Sequence, residues 1–254
     1  MNYFFLSFAL RLISLLFLSF LVVFTSAEPI DDLTLYIDDY PPFNFVVDER
    51  ATGISVEIMD AILKGSGSKL SASDVKMLPW ARGYHFALKN RNTILFAMTR
   101  TPERENLFRW VGPITESNMV VLARKTDNII IDDIQALKKY SLGAVRKDIG
   151  AELLRRHLGD EVVIELTNNG LASAKQLEKG RIDLWSYEKN VAFWFIKKAG
   201  LDPNDYEVVY TIEYSSEWFA INKETDAAIV EKLQKALDKF GDEGRNKILN
   251  KYLY

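Results

Sequence analysis

The sequence predicts an α/β protein with mostly parallel sheets, divided into two compact lobes. Two observations carry this expectation. Strand and helix signals alternate along most of the chain, the pattern expected of β–α–β units. One irregular stretch, residues 111–117, interrupts the alternation near the middle, and a second set of strands and helices follows without a long linker. Two bodies joined so closely leave a cleft between them, and clefts between domains are where ligands bind.

The elements follow in order. Residues 33–37 form a β-rich run ending at the turn Tyr40-Pro41-Pro42-Phe43. Residues 55–64 carry Val56, Met59, Ile62 and Leu63 at helical spacing and stop at Gly65-Ser66-Gly67. A short strand at 75–78, a helix at 80–89 and a buried strand at 93–97 come next, then a strand at 118–123. Helices at 134–139, 150–158, 171–179 and 190–198 alternate with strands at 141–145, 162–166 and 182–185. Strands at 208–212 and 217–221 close the second set. The C-terminus is helical, because Ile229, Leu233, Leu237 and Phe240 make one apolar stripe.

Composition excludes several classes of function. The 254 residues contain no cysteine, which removes disulfide scaffolds, thiol nucleophiles, iron–sulfur clusters and cysteine-built zinc sites. Only His85 and His157 offer imidazole, so a histidine-rich metal site is not expected. A net charge of −3 argues against a protein that coats nucleic acid phosphates. No nucleophile elbow, phosphate loop or metal cluster appears, and no cofactor is implied.

Residues 1–27 read as an export signal. Residues 3–24 are almost wholly apolar apart from Arg11, and Thr25-Ser26-Ala27 offers a small-residue cleavage site before Glu28-Pro29. An uncleaved membrane anchor is the alternative, since the stretch approaches the roughly 20 residues a span requires. The expected location is the periplasm.

The motifs Tyr40-Pro41-Pro42-Phe43, Gly53-Ile54-Ser55-Val56-Glu57, Pro79-Trp80-Ala81-Arg82, Arg100-Thr101-Pro102-Glu103-Arg104 and Trp110-Val111-Gly112-Pro113 occur in that order. Their order and spacing resemble the family 3 extracellular solute-binding proteins, the periplasmic receptors of polar amino acid ABC transporters. The resemblance covers the whole chain after residue 27. It implies a two-lobed periplasmic-binding-protein fold of type II with a hinge and an interlobe cleft. Lobe one would be residues 28–116 plus 221–254 and lobe two residues 117–220, with crossings near 117–120 and 217–220 as the hinge. It also implies a monomer that holds a small polar solute, an amino acid or related compound, and passes it to a permease in the inner membrane.

The resemblance gives roles to particular residues. Arg104 matches the arginine that pairs with a ligand α-carboxylate, a task suited to a two-pronged guanidinium. Thr101-Pro102-Glu103 also makes an ordinary helix start, and both readings can hold. Thr99 matches a position whose hydroxyl or backbone assists. Tyr40 matches a cleft aromatic, or else is a core ring capping the Pro-Pro turn. Trp80 is the opposite wall or ordinary core, and Arg82 faces either the ligand or solvent. Glu188 aligns with the acid that accepts a ligand ammonium, with a helix N-cap as the alternative; Trp185, Ser186 and Tyr187 flank it and are candidates to line the pocket.

The chain departs from the family where a hydroxyl-rich turn usually follows the first strand of lobe two. Here it reads Arg146-Lys147-Asp148-Ile149-Gly150: the two cations either face the cleft and favour an acidic ligand or are solvated surface charge, and Arg146 and Asp148 are candidate ligand contacts. Two other functions stay open. Some exported relatives of the fold are dehydratases of cyclic precursors of aromatic amino acids, for which Glu188 or Asp148 would be the acid or base. A receptor serving a separate sensor is the other.

Overall fold

The computed structural model describes residues 29–253. The expected export segment lies outside them. Lobe one begins with β1 (Thr34–Ile37), a hairpin of β2 (Phe45–Val47) and β3 (Arg50–Thr52), helix α1 (Ile54–Gly65) and β4 (Lys76–Met77). Helix α2 (Trp80–Lys89), the wholly buried β5 (Thr93–Thr99) and the short helix α3 (Pro102–Glu105) follow. The long strand β6 (Phe108–Arg124) leads to β7 (Leu142–Val145), α4 (Ile149–Leu158), β8 (Ile164–Thr167), α5 (Gly170–Glu178), β9 (Leu184–Glu188) and α6 (Lys189–Lys198). The equally long β10 (Tyr206–Asn222) returns, and α7 (Ala227–Leu253) ends the chain, broken at Gly241 where φ is 68°.

One eight-stranded sheet runs through the molecule in the order β4-β1-β5-β10-β6-β9-β7-β8. Its flanks are parallel, as expected from the alternation, but the centre is antiparallel: β10 pairs with both β5 and β6, and β6 with β9. β5 pairs with one end of β10, at residues 217–221, and β9 with the opposite end of β6, at residues 119–122. The two crossing strands therefore carry one βα group at each end, which makes the fold two-lobed.

The sequence missed the continuity of those strands for a local reason. The irregular stretch at 111–117 is a bulge inside β6: Gly112, Pro113 and Ile114 lie opposite the single residue Trp218. A Cβ at Gly112 would sit 2.6 Å from the Trp218 ring, so only glycine fits. In β10 the polar run Glu213-Tyr214-Ser215-Ser216 hides the strand, yet it pairs with residues 116–119. The expected helix at 134–139 is a 3-10 helix. The β2–β3 hairpin escaped notice because its turn uses Asp48 and Glu49, both at positive φ, instead of the glycine such turns favour.

Lobe one is closed by the end of the chain. Ile229, Leu233 and Leu237 are buried along α7, which packs on α1. Beyond the Gly241 break, the Tyr252 hydroxyl accepts the Gly53 N–H at 3.2 Å and pairs with Thr52 at 2.9 Å. The hairpin, α1 and the C-terminus are thereby tied into one body.

Candidate functional site

The first wall of the site grows from the end of β1, where Leu35 and Ile37 point into the core and the chain then presents Asp38, Asp39 and Tyr40. Carboxylates at the carboxyl end of a strand face the crevice in open α/β folds. Asn44 fixes this corner: its Nδ2 donates to the Asp38 carbonyl at 2.9 Å and to Asp38 Oδ1 at 3.2 Å. Tyr40 stacks on Phe43 at 5.5 Å and meets Tyr187 of lobe two edge-on at 5.7 Å. Trp80 begins α2 and is buried; its Nε1 donates across the cleft to the Lys147 carbonyl at 2.9 Å.

Arg104 is only 2% exposed. The helix-start reading of its segment holds. Thr101 caps α3, its hydroxyl accepting the Arg104 N–H at 3.3 Å, while the side chain turns into the cleft beneath Trp80 and Tyr84. There the guanidinium grips Glu152 of α4 with both prongs, at 3.0 and 2.8 Å. Longer bonds run to the carbonyls of Thr99 at 3.4 Å and Lys147 at 3.3 Å. Burial works to lower the Arg104 pKa, but the Glu152 carboxylate prevails and raises it.

The opposite wall is the turn after β7. Lys147 takes a left-handed φ of 61°, and Asp148 then caps α4 by accepting the Gly150 N–H at 3.1 Å. Gly150 has no space for a side chain: a Cβ there would lie 2.5 Å from the Ser186 carbonyl oxygen. This close approach seats the N-terminus of α4 on β9. Gly170 does the same for α5, where a Cβ would lie 2.3 Å from Phe195 and 3.0 Å from Tyr187.

Between these walls lies a cavity of about 640 Å³, lined from lobe one by Asp38, Asp39, Leu78 and Trp80 and from lobe two by Arg146, Asp148, Leu171 and Tyr187. A narrow recess behind it shares Asp38, Trp80 and Asp148 and adds Tyr40, Thr99 and Arg104. The Thr99 hydroxyl is turned to Glu217, at 3.3 Å. Further pairs cross the cleft at its margins: Lys198 with Asp39 at 2.9 Å, and Arg156 with Glu103.

The electrostatics are dominated by buried acids. Burial pushes Asp38 up to about 7, helped by the nearby Asp148 charge. Burial likewise raises Asp148 to about 6, Glu188 to about 7 and Glu217 to about 8. The Tyr40 and Tyr187 hydroxyls are also raised, first by burial and then by these carboxylates.

Of the residues expected from the sequence, the structure brings together Tyr40, Trp80, Thr99, Arg104, Arg146 and Asp148. Three stand apart. Arg82 is exposed on the outer face of α2, over Phe86 at 5.4 Å, because two residues along a helix turn its side chain away from that of Trp80. Trp185 lies wholly in the core, stacked on Tyr187 at 5.1 Å. Glu188 does not line the cavity; it is fully buried and caps α6, accepting the Val191 N–H at 2.8 Å. Asp38 and Glu152 were missed. Asp38 had a signal in its place at a strand end, and Glu152 in its i+4 spacing from Asp148 on one helix face. Among the described residues, no group of three or more His, Asp or Glu is placed to hold a metal ion, and no helix is long and apolar enough to cross a membrane.

A model of the bacterial extracellular solute-binding proteins, family 3, matches residues 33–254. Among relatives, the chain is 28% identical over 218 residues to YxeM of Bacillus subtilis (strain 168), named a probable amino-acid-binding protein, covering 82% of this chain and 78% of that one. It is 24% identical over 219 residues to the arginine-binding extracellular protein ArtP of the same organism, covering 84% and 82%. Among solved structures, a histidine kinase sensor domain with similarity to periplasmic binding proteins shares the fold with a TM-score of 0.76 at 18% identity, covering 87% of this chain and 96% of that one.

Proposed function

This chain belongs to the bacterial extracellular solute-binding proteins of family 3, and on that premise we propose that it captures a small polar solute, an amino acid or related compound, between its lobes and delivers it to an ABC transporter permease. The observation that carries this reading is the cavity of about 640 Å³ lined from both sides of the cleft. Its size suits a small molecule, and its mix of apolar walls and few charged groups is typical of such sites. Residues 28–116 with 221–254 act as one lobe and 117–220 as the other. The crossings in β6 and β10 act as the hinge, since among the described residues only these two strands run from one βα group to the other. The contact set is drawn from the residues lining the cavity and its recess: Tyr40, Trp80, Thr99, Arg104, Arg146 and Asp148, together with Asp38 and Tyr187. No chemistry is required of them: binding shifts the lobes toward the closed form, and the closed form is what a permease reads. Export through the N-terminal segment places the protein in the periplasm.

A thermal-shift screen of the purified protein, freed of any co-purified solute by unfolding and refolding, tests this. Amino acids, amines and small carboxylates form the panel. A true solute at 100 times its Kd adds about 2.7 kcal/mol of stability and raises the melting temperature visibly. A panel without any shift would count against solute capture.

A further inference from the structure

We infer that the cleft takes a cationic amine or guanidinium without a carboxylate, its charge held by Asp38 and Asp148 and its body lying against Trp80 and Tyr187. This rests on the solute-capture reading and narrows it to a ligand class. A solute carboxylate needs a cation or a helix N-terminus to receive it. In this cleft the buried ones are already engaged by the chain itself. Both prongs of Arg104 hold Glu152. The N-terminus of α4 is capped by the Asp148 carboxylate. The N-terminus of α5 is capped by Asn169 Oδ1, which accepts the Ala172 N–H at 2.9 Å. Arg146 is the one remaining cation that the described residues place on the cavity wall, and it stands exposed at the rim.

The acids are in the opposite condition. Asp38 is 8% exposed and lines both the cavity and its inner recess. Its carboxylate is held by Asn44 and by its own backbone N–H, and no cation of the described residues pairs with it. Asp148 stands across from it, as deeply buried; among the described residues it makes no direct ion pair, and the Arg104 charge near it is engaged by Glu152. Taking carboxylates out of water without a counter-charge is costly, and an incoming ammonium or guanidinium supplies what is missing. The apolar walls accommodate the rest of an amine such as a phenethylamine or an alkyl guanidine.

Calorimetric titration with matched pairs tests the inference: tyramine against tyrosine, agmatine against arginine, cadaverine against lysine. In at least one pair the decarboxylated member is expected to bind at least about tenfold tighter than its parent. Glu152→Gln, which loosens the grip on Arg104, should narrow that preference by strengthening the amino acid. Asp38→Asn, close to isosteric, should weaken the amine at least about tenfold while melting as a folded protein. If the amino acids bind the parent protein as tightly as the amines, or if only neutral or anionic solutes bind, this inference falls and solute capture stands. If none of these solutes nor any other small polar compound binds, the capture reading falls as well.

Discussion

Glu152→Ala is expected to open the solute-free protein. Arg104 is almost completely buried, and its one carboxylate partner among the described residues reaches it from the other lobe. Removing one member of a buried ion pair strands the other, at a cost of about 3 kcal/mol, the lower end of the usual range because Glu152 keeps some contact with water. The carbonyls of Thr99 and Lys147 bind the guanidinium at longer distances and do not replace a charge. The marginal pairs Lys198–Asp39 and Arg156–Glu103 lie near solvent and contribute about 0–1 kcal/mol each. Opening lets water reach Arg104, so it is the cheaper outcome. Small-angle scattering of the variant should give a larger radius of gyration than the parent without solute. Superposable curves would mean that the Arg104–Glu152 pair does not hold the lobes together.

The second large effect is a loss of stability as pH rises. Asp38, Asp148, Glu188 and Glu217 have folded-state values of about 7, 6, 7 and 8, against ordinary values of 3.8 for aspartate and 4.5 for glutamate. Folding therefore retains protons that the unfolded chain has already released within this window. Their contribution is full below the ordinary values and is lost progressively as pH climbs to about 8. Each such retained proton tilts stability by about 1.4 kcal/mol per pH unit. Paired surface acids work in the opposite sense but at lower pH: the Arg156 hydrogen bond holds Glu103 down to about 2, below this window. The melting temperature of the solute-free protein should fall from about pH 5 to about pH 8, read by scanning fluorimetry at constant ionic strength. A melting temperature that rises over that interval would show that these acids are not buried as described.

Much of the scaffold was legible because periodicity reports burial directly. The stripe Ile229, Leu233, Leu237 faces the core of lobe one, and the run at 55–64 is α1. The two crossing strands were less legible. A bulge at Gly112-Pro113 and a polar run at 213–216 interrupt the pattern without interrupting the pairing, since partners far apart in sequence supply the hydrogen bonds. The site divides in the same way. Arg104 announced itself by its motif, yet the group that occupies it, Glu152, is 48 residues away, and no local signal joins the two. Around Glu188 the limit was one of side-chain direction. Successive strand residues face opposite sides, so Tyr187 lines the cavity while Glu188 turns to cap α6, and Trp185, on the side of Tyr187, lies one layer deeper.

The most direct test of solute capture is the crystal structure of the protein grown with its tightest-binding solute. Solute density between Trp80 and Asp38 on one side and Asp148 and Tyr187 on the other, with both lobes in contact, is the predicted result. Density confined to one lobe or lying outside the cleft, with the space between these four residues filled by water, would contradict it.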